Sequence, residues 1–576
     1  MNDLIDAARG LKKADLAIKN ANIVNVLSEE ILFGDIAVCG GVIAGVGENY
    51  SGKEEIDADG AYVTPSFIDG HIHLESTMLM PREFAKLVLP TGTTTVVIDP
   101  HEISNVLGLH GISYMNEAVK NLPINVYTML PSCVPATPYE TSGFDLNSYD
   151  LSLLTDKPWV LGIAEMMNFQ GVLNHDKDVM SKLALGKSSG KCIDGHAPCL
   201  CGKDLCAYIA GGVKSDHECT TPEEAMEKLR LGMYVMIREG SAAKDLDSLM
   251  PVLKTFNTRK CMFVTDDRHP NDLKEHINGM VRRAAAAGVN PIKAIQIASL
   301  NTAEYFGLKD LGAVAPGYRA DMLILPDLKS FKPDIVIKDG KIAAKNGVLT
   351  SKIKNTETLS IRGSVNVKWI TPEDFKIAAE ADKNAPDKPV KVCAAEIVPN
   401  RLITKRTISE VYVHNGNAVS NIEKDTLKIC VIERHRATGN IGRGFVKGFS
   451  LKSGALASTV AHDSHNLVVI GADDFDMYTA AVALIKCQGG KVVVNNGRVI
   501  AQLPLPVAGL MSDMSSDYVI QKCTELNAAA HSIGCTLSDP FMTMGFLSLP
   551  VIPELKITDK GVFDTNKADF INIFAE

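Results

Sequence analysis

The chain has little of what would mark a specialised environment. It holds only 2 Trp among 576 residues, and aromatic residues make up 6%. Trp159 and Trp369 therefore read as packing residues, with nothing to mark them as a stacking platform. Cysteines number 13, sparse for the length and odd in count. That excludes a disulfide scaffold and points to a reducing compartment. Positive charge is not in excess either: 59 Lys+Arg against 68 Asp+Glu leave a net charge of −9. Bulk attraction to nucleic acid or to an anionic membrane is excluded, though a local basic patch is not. No apolar run approaches the roughly 20 residues that span a bilayer, and residues 1–13 lack the apolar core of a signal peptide. The expectation is a soluble cytoplasmic protein without nucleic-acid or membrane partners.

What is present is an ordinary globular balance, 46% hydrophobic and 22% charged, in a chain long enough for three or more units. Short apolar, β-branched segments separated by Gly turns open the chain, at 15–25, 31–39 and 42–46. The same texture returns at 321–325, 333–338 and 340–343. Two distant pieces of one style suggest a small β-sandwich domain built from both flanks, 1–64 and 310–365. Between them, eight candidate strands alternate with helical patterns: 67–72, 94–99, 124–130, 160–166, 192–195, 212–216, 233–238 and 262–265. Eight βα units over 65–309 predict a TIM barrel. No G-x-G-x-x-G follows any strand, which argues against an open doubly wound sheet. Polar, β-like sequence at 352–368 leads into a charged, then Pro/Asp/Lys-rich stretch. A linker over 366–389 and a C-terminal α+β domain over 390–576 are expected. The fold class is thus α/β.

In a barrel, chemistry gathers at the C-terminal ends of the strands. Strand one ends in His71-Ile72-His73, and residues i and i+2 of a strand face the same way. Strand four ends in Glu165, strand five in His196, strand six in His217 and strand eight in Asp266-Asp267. Single histidines at strand ends are usually structural; six such residues in barrel order point to a metal centre. His71, His73 and Asp266 can hold one divalent ion, His196 and His217 a second, and Glu165 can bridge them.

The run 63–73, VTPSFIDGHIH, resembles the opening of the amidohydrolase superfamily, and PGYRAD (316–321) resembles its return to the small β-domain. Within that superfamily the chain resembles the bacterial adenine deaminases. HIHLEST (71–77), DPHEISNVLG (99–108), LPSCVPATP (130–138), IAEMMNFQGV (163–172), DGHAP (194–198), SDHE (215–218), REGSAAKDL (238–246), TDDRHPNDL (265–273) and AHDSHN (461–466) carry the likeness. It spans about 15–570. The resemblance implies hydrolysis of adenine to hypoxanthine and ammonia in purine salvage. It also implies metal ligands at His71, His73, Glu165, His196, His217 and Asp266. The ions it implies are Mn²⁺ or Fe²⁺, with Zn²⁺ also compatible with the donors, and barrels of this kind often pair as dimers.

In that reaction Asp266 would carry a proton from the nucleophile to the departing amine. Glu102 or His101, at the end of strand two, would protonate the ring. Arg238, Glu239 and Ser241 at strand seven would contact substrate or brace the rim, and Asp267 and Arg268 would orient ligands. The loop His462, Asp463, His465 would cap the mouth or form a network of its own; His435-Arg436 is ambiguous in the same way. One departure from the family stands out: Cys199, Cys201 and Cys206 follow His196. These thiols could be inert or, with His196, a structural zinc site. Another cyclic amidohydrolase is the alternative enzyme, but hydantoinases use lysine where Glu165 stands. A non-catalytic scaffold would be expected to lose ligands, and all six are present.

Overall fold

The computed structural model describes residues 1–353, 361, 363–379, 389–398 and 401–575. The two flanks meet in one nine-stranded sheet. Its seam is the antiparallel pair Tyr62–Pro65 and Met322–Leu325, with Ile324 opposite Val63. Ile18, Ile23, Ile36, Val63, Met322, Ile324 and Ile337 are buried together beneath it. The seam brings the chain entering the barrel beside the chain leaving it.

The barrel strands are β1 (Phe67–His73), β2 (Thr93–Ile98), β3 (Asn125–Leu130), β4 (Val160–Met166), β5 (Cys192–Gly195), β6 (Ser215–Asp216), β7 (Tyr234–Arg238) and β8 (Cys261–Val264). Ladders β1 to β5 run parallel in order, as do β6 to β8. Beyond β8 the segment Asp266–Asp267 pairs in parallel with Ile72 and His73. Between β5 and β6 the Lys214 amide donates to Ile193 O at 3.0 Å. Ile68, Val97, Met129, Ala164, Met236 and Met262, from six different strands, are buried in one cluster inside the ring. Polar residues therefore lie nearer the C-terminal mouth, above an apolar floor. Gly70 has no space for a side chain: a Cβ there would stand 3.0 Å from Thr302 Cγ2 and 3.1 Å from Met262 Sδ.

Strand β6 is shorter than its apolar pattern suggests. The Asp216 carboxylate accepts the Ala197 amide at 2.7 Å and the Glu218 amide at 3.1 Å. Such local side-chain bonds replace a ladder. Lys228 faces this carboxylate from the helix Pro222–Arg230, which has Thr221 as its cap and acidic residues in its first turn. Its ammonium, fully buried, reaches Asp216 Oδ2 at 3.0 Å, Glu224 Oε1 at 2.8 Å and Ala197 O at 2.8 Å.

The C-terminal unit is built on a ten-stranded sheet, with the helices Asp474–Lys486 and Ser516–Ser532 packed on it. Residues 363–379 do not behave as the expected linker. Ile370 and Phe375 are buried in the core of this unit, and Ile377–Ala378 pairs with Asn417–Val419. Val365 and Ile377 are buried as well, so four apolar side chains anchor this charged stretch. The rest of the expected linker, 380–388, lies outside the described residues, as do 354–360 and 362 of the polar β-like stretch. Bonds tie this unit to the barrel: Ser516 N to Glu83 Oε2 at 3.1 Å, Thr141 N to Asp559 Oδ1 at 2.8 Å and Asn466 Nδ2 to Thr141 O at 2.8 Å. No helix among the described residues is long and apolar enough to cross a membrane.

Removing Lys228 would leave Asp216 buried without its cation. Lys228→Met is expected to lower unfolding free energy by about 3–5 kcal/mol, the usual cost of breaking a buried pair. Urea denaturation of both proteins measures it, and an unchanged midpoint would show that the pair carries no such weight.

Candidate active site

The strand-end residues converge. Glu165, at the end of β4, lies at the centre of four imidazoles. Its Oε2 is 2.8 Å from His196 Nδ1 and 3.2 Å from His217 Nε2. Its Oε1 is 3.3 Å from His73 Nε2 and 3.4 Å from His101 Nδ1. Asp266 Oδ1 is 3.0 Å from His73 Nε2 and 3.6 Å from His71 Nε2. The His71 and His217 rings stack at 4.4 Å. All six expected ligands are thus in one place, with Asp266 beside His71 and His73 and Glu165 beside His196 and His217. Donor atoms of His71, His217 and Asp266 lie within 4.8 Å of one another, as do those of Glu165, His196 and His217.

The donors suit a cation. His73 Nδ1–H donates to Asp99 O at 3.0 Å, which fixes the tautomer and leaves the Nε2 lone pair facing the carboxylates. His71 Nε2 is buried with no hydrogen-bond partner. Burial favours the neutral acids, but the histidines beside Glu165, and His71, His73 and Arg238 beside Asp266, hold both carboxyls well below the usual range. Both are therefore in the form that binds metal.

Arg238 is the main counter-charge. Its guanidinium reaches Asp266 Oδ2 at 2.9 Å, Asp245 Oδ2 at 3.2 Å and Glu218 through both terminal nitrogens. Glu218 was missed in the sequence, although it directly follows His217. Its Oε1 is 3.6 Å from His196 Nδ1 and 3.5 Å from His217 Nε2. Asp99 was missed too, despite opening the DPHE run.

Other expected residues serve the rim instead. Arg238 points inward, so Glu239, next along the strand, points out and pairs with Arg283. Ser241 bonds Asp272. Arg268 is spent on the backbone carbonyls of Glu239, Asp272 and Glu275. Asp267 stays at the mouth, accepting from Ser76 Oγ at 2.5 Å. Cys199, Cys201 and Cys206 are free and exposed.

His101 and Glu102 open the helix His101–Leu107. His101 Nδ1 is 3.2 Å from Asp99 Oδ2, and its Nε2 is 3.3 Å from Glu102 Oε1 and 3.9 Å from Asp463 Oδ1. The loop joining Ala455–Ser458 to Leu467–Gly471 descends onto this helix. His462 Nδ1 meets Glu102 Oε1 at 2.7 Å, and His465 Nε2 meets Glu102 Oε2. His435 Nε2 donates to Ser464 O at 2.7 Å and braces the loop from behind. Phe546 stacks on His462 at 4.3 Å. Long-range contacts of this kind leave no trace in local sequence.

Comparison with known proteins agrees with this two-part construction. Residues 62–343 match the amidohydrolase family, and residues 401–569 match the adenine deaminase C-terminal domain. Adenine deaminase 2 of Carboxydothermus hydrogenoformans is 49% identical over 98% of this chain and 98% of its own. The adenine deaminase of Desulfatibacillum aliphaticivorans is 46% identical over 100% of this chain and 99% of its own. That of Clostridium acetobutylicum is 44% identical over 99% and 100%.

Arg238→Met would leave Asp266, Glu218 and Asp245 facing one another. In metal-stripped protein it is expected to lower unfolding free energy by about 3–5 kcal/mol. Saturating divalent metal should restore part of that loss, because bound cations stabilise the folded state. Equal loss with and without metal, in paired urea melts, would place Arg238 outside the charge balance of the centre.

Proposed function

The chain belongs to the adenine deaminases of the amidohydrolase family, and from that premise we propose how its residues divide the hydrolysis of adenine to hypoxanthine and ammonia. It is a hydrolytic deaminase with a divalent metal centre. The observation that carries the residue assignment is the convergence of buried His71, His73, Glu165, His217 and Asp266 with half-buried His196. Two ions would be held by these residues, and Glu165 would serve as a ligand to both. Imidazole and carboxylate donors suit Mn²⁺ or Fe²⁺, with Zn²⁺ as the alternative. When bound, such ions lower the pKa of water toward neutrality and so supply a hydroxide nucleophile for purine C6.

The chain's own groups move the protons. Asp266 accepts a proton from the attacking oxygen and passes it to the leaving nitrogen. Glu102 faces the ring and delivers the proton that N1 keeps in hypoxanthine, with His101 beside it. Asp267 and Asp463 line the mouth, while Glu239, Ser241 and Arg268 keep the β7 and β8 loops in place. The proposal extends to a cytoplasmic homodimer without nucleic-acid or membrane partners. The net charge of −9 and a small neutral substrate support the absence of those partners.

Purified protein supplied with Mn²⁺ should convert adenine to hypoxanthine, followed by the ultraviolet change and by ammonia release. Absence of turnover, with turnover of a cyclic amide instead, would overturn the substrate. Glu165→Gln should lower metal content below two per chain and weaken metal affinity by about 10–100-fold or more. Intact metal content and rate in that variant would remove Glu165 from the bridge.

A further inference from the structure

Glu102 is assigned above as the group facing N1, yet its surroundings favour its ionised form. The backbone amide of Ala461 points at His465 Nδ1, 3.0 Å away. An amide can only donate, so Nδ1 must carry a lone pair and the His465 proton must sit on Nε2. That N–H is directed at Glu102 Oε2. The other oxygen, Oε1, faces His462 Nδ1 at 2.7 Å. A carboxylate accepting from two imidazoles is held ionised. An ionised Glu102 has no proton of its own to give.

His465 cannot take up an extra proton without losing the Ala461 bond. His462 has no such restriction. Its backbone is anchored independently, its amide donating to Gly545 O at 2.8 Å, and its ring lies flat on Phe546 at 4.3 Å. Of the two rings that the C-terminal unit places on Glu102, only His462 is free to carry charge; a third ring, His101, reaches Oε1 from the barrel side at 3.3 Å. We propose that His462, from the C-terminal unit, stores the proton that Glu102 passes to purine N1.

The balance closes on water. One water supplies the oxygen that bonds C6. One of its protons reaches the departing nitrogen through Asp266, and the C6–N6 bond breaks to release ammonia. The second proton replaces the one that moved from His462 through Glu102 onto N1, where it stays in the product. No other reactant is needed. The groups facing His462 are Glu102 and His101 from the helix after β2, Asp267 from the β8 end, and Asp463 and His465 from its own loop. Burial works against a charge on His462, but Glu102, Asp267 and Asp463 push its pKa up to about 9. Burial pushes His465 the other way, to about 4. The cation is therefore present at neutral pH and lost as pH rises through about 9.

His462 acts through Glu102 and is a positioning residue for the proton rather than one that touches substrate. The test rests on the Glu102 assignment and is built to separate the two. Manganese-loaded wild type, Glu102→Gln, His462→Asn, His465→Gln and the Glu102→Gln/His462→Asn double variant are compared for metal content, kcat, KM and the pH dependence of kcat. His462→Asn should keep its metal and its KM within about threefold, and lose about 10²-fold or more in kcat, the range of general acid–base catalysis. The alkaline limb of the wild-type profile should vanish from its position near pH 9. His465→Gln, which still donates to Glu102, should keep that limb. The double variant should be no slower than Glu102→Gln alone, because the two residues act in series. Full kcat with an unchanged alkaline limb in His462→Asn, or multiplicative losses in the double variant, overturn the proposal. Full kcat in Glu102→Gln instead overturns the Glu102 assignment. Should His462→Asn fail to load metal, Phe546→Leu takes its place: admitting water beside His462 eases the burial that opposes its charge, so the limb should move to higher pH. A limb unmoved in that variant counts against the proposal.

Discussion

Everything in this structure depends on keeping one carboxylate, Glu165, buried and ionised among imidazoles. His73, His101, His196 and His217 approach it from the ends of β1, β2, β5 and β6. A charge taken out of water is costly unless its partners are in place beforehand. The barrel supplies that pre-placement. Four strand ends fix four rings, the apolar floor blocks water from below, and Asp216 with Lys228 pins the turns that carry His196 and His217. Arg238 then offsets the remaining negative charge on Asp266 and Glu218.

The C-terminal unit belongs to the same arrangement. Its loop at 459–466 places two histidines on Glu102, and its small strands hold the 138–141 loop through Thr141 and Lys560. The mouth is thus built where the two units meet, across polar contacts and through one continuous hydrophobic core that holds Met78, Leu79 and Phe84 of the barrel together with Leu510, Met511 and Met544 of the C-terminal unit. The site cannot be divided between them, because Glu102 is on one unit and the two histidines that meet its oxygens, His462 and His465, are on the other.

Most of the barrel and all six candidate ligands were legible in the sequence because both follow short-range periods. Apolar runs mark the strands, and a strand end turns alternate residues to one side, which is why His71 and His73 could be paired on sight. Of the two roles open to Glu239, substrate contact or bracing the rim, its ion pair with Arg283 matches the second. What was not legible rests on distance along the chain or on side chains that replace backbone bonds. Glu102 and His462 are far apart in sequence, so their contact has no period. Strand β6 is only Ser215–Asp216, and beyond it the Asp216 carboxylate takes the Ala197 and Glu218 amides. Residues 363–379 looked polar enough for a linker, yet Val365, Ile370, Phe375 and Ile377 are buried and dock them.

The order in which the parts are connected has a further consequence during synthesis. Chains emerge from the N-terminus and domains fold as units as they appear. The first half of the flank sheet waits for Met322–Leu325 before its seam can close. The barrel can form at that point, with its histidines and carboxylates already gathered. Glu102 stays without His462 and His465 until the loop between Ala455–Ser458 and Leu467–Gly471 has been made and that hairpin has paired. A nascent chain therefore holds all its strand-end histidines and carboxylates well before His462 and His465 can reach Glu102.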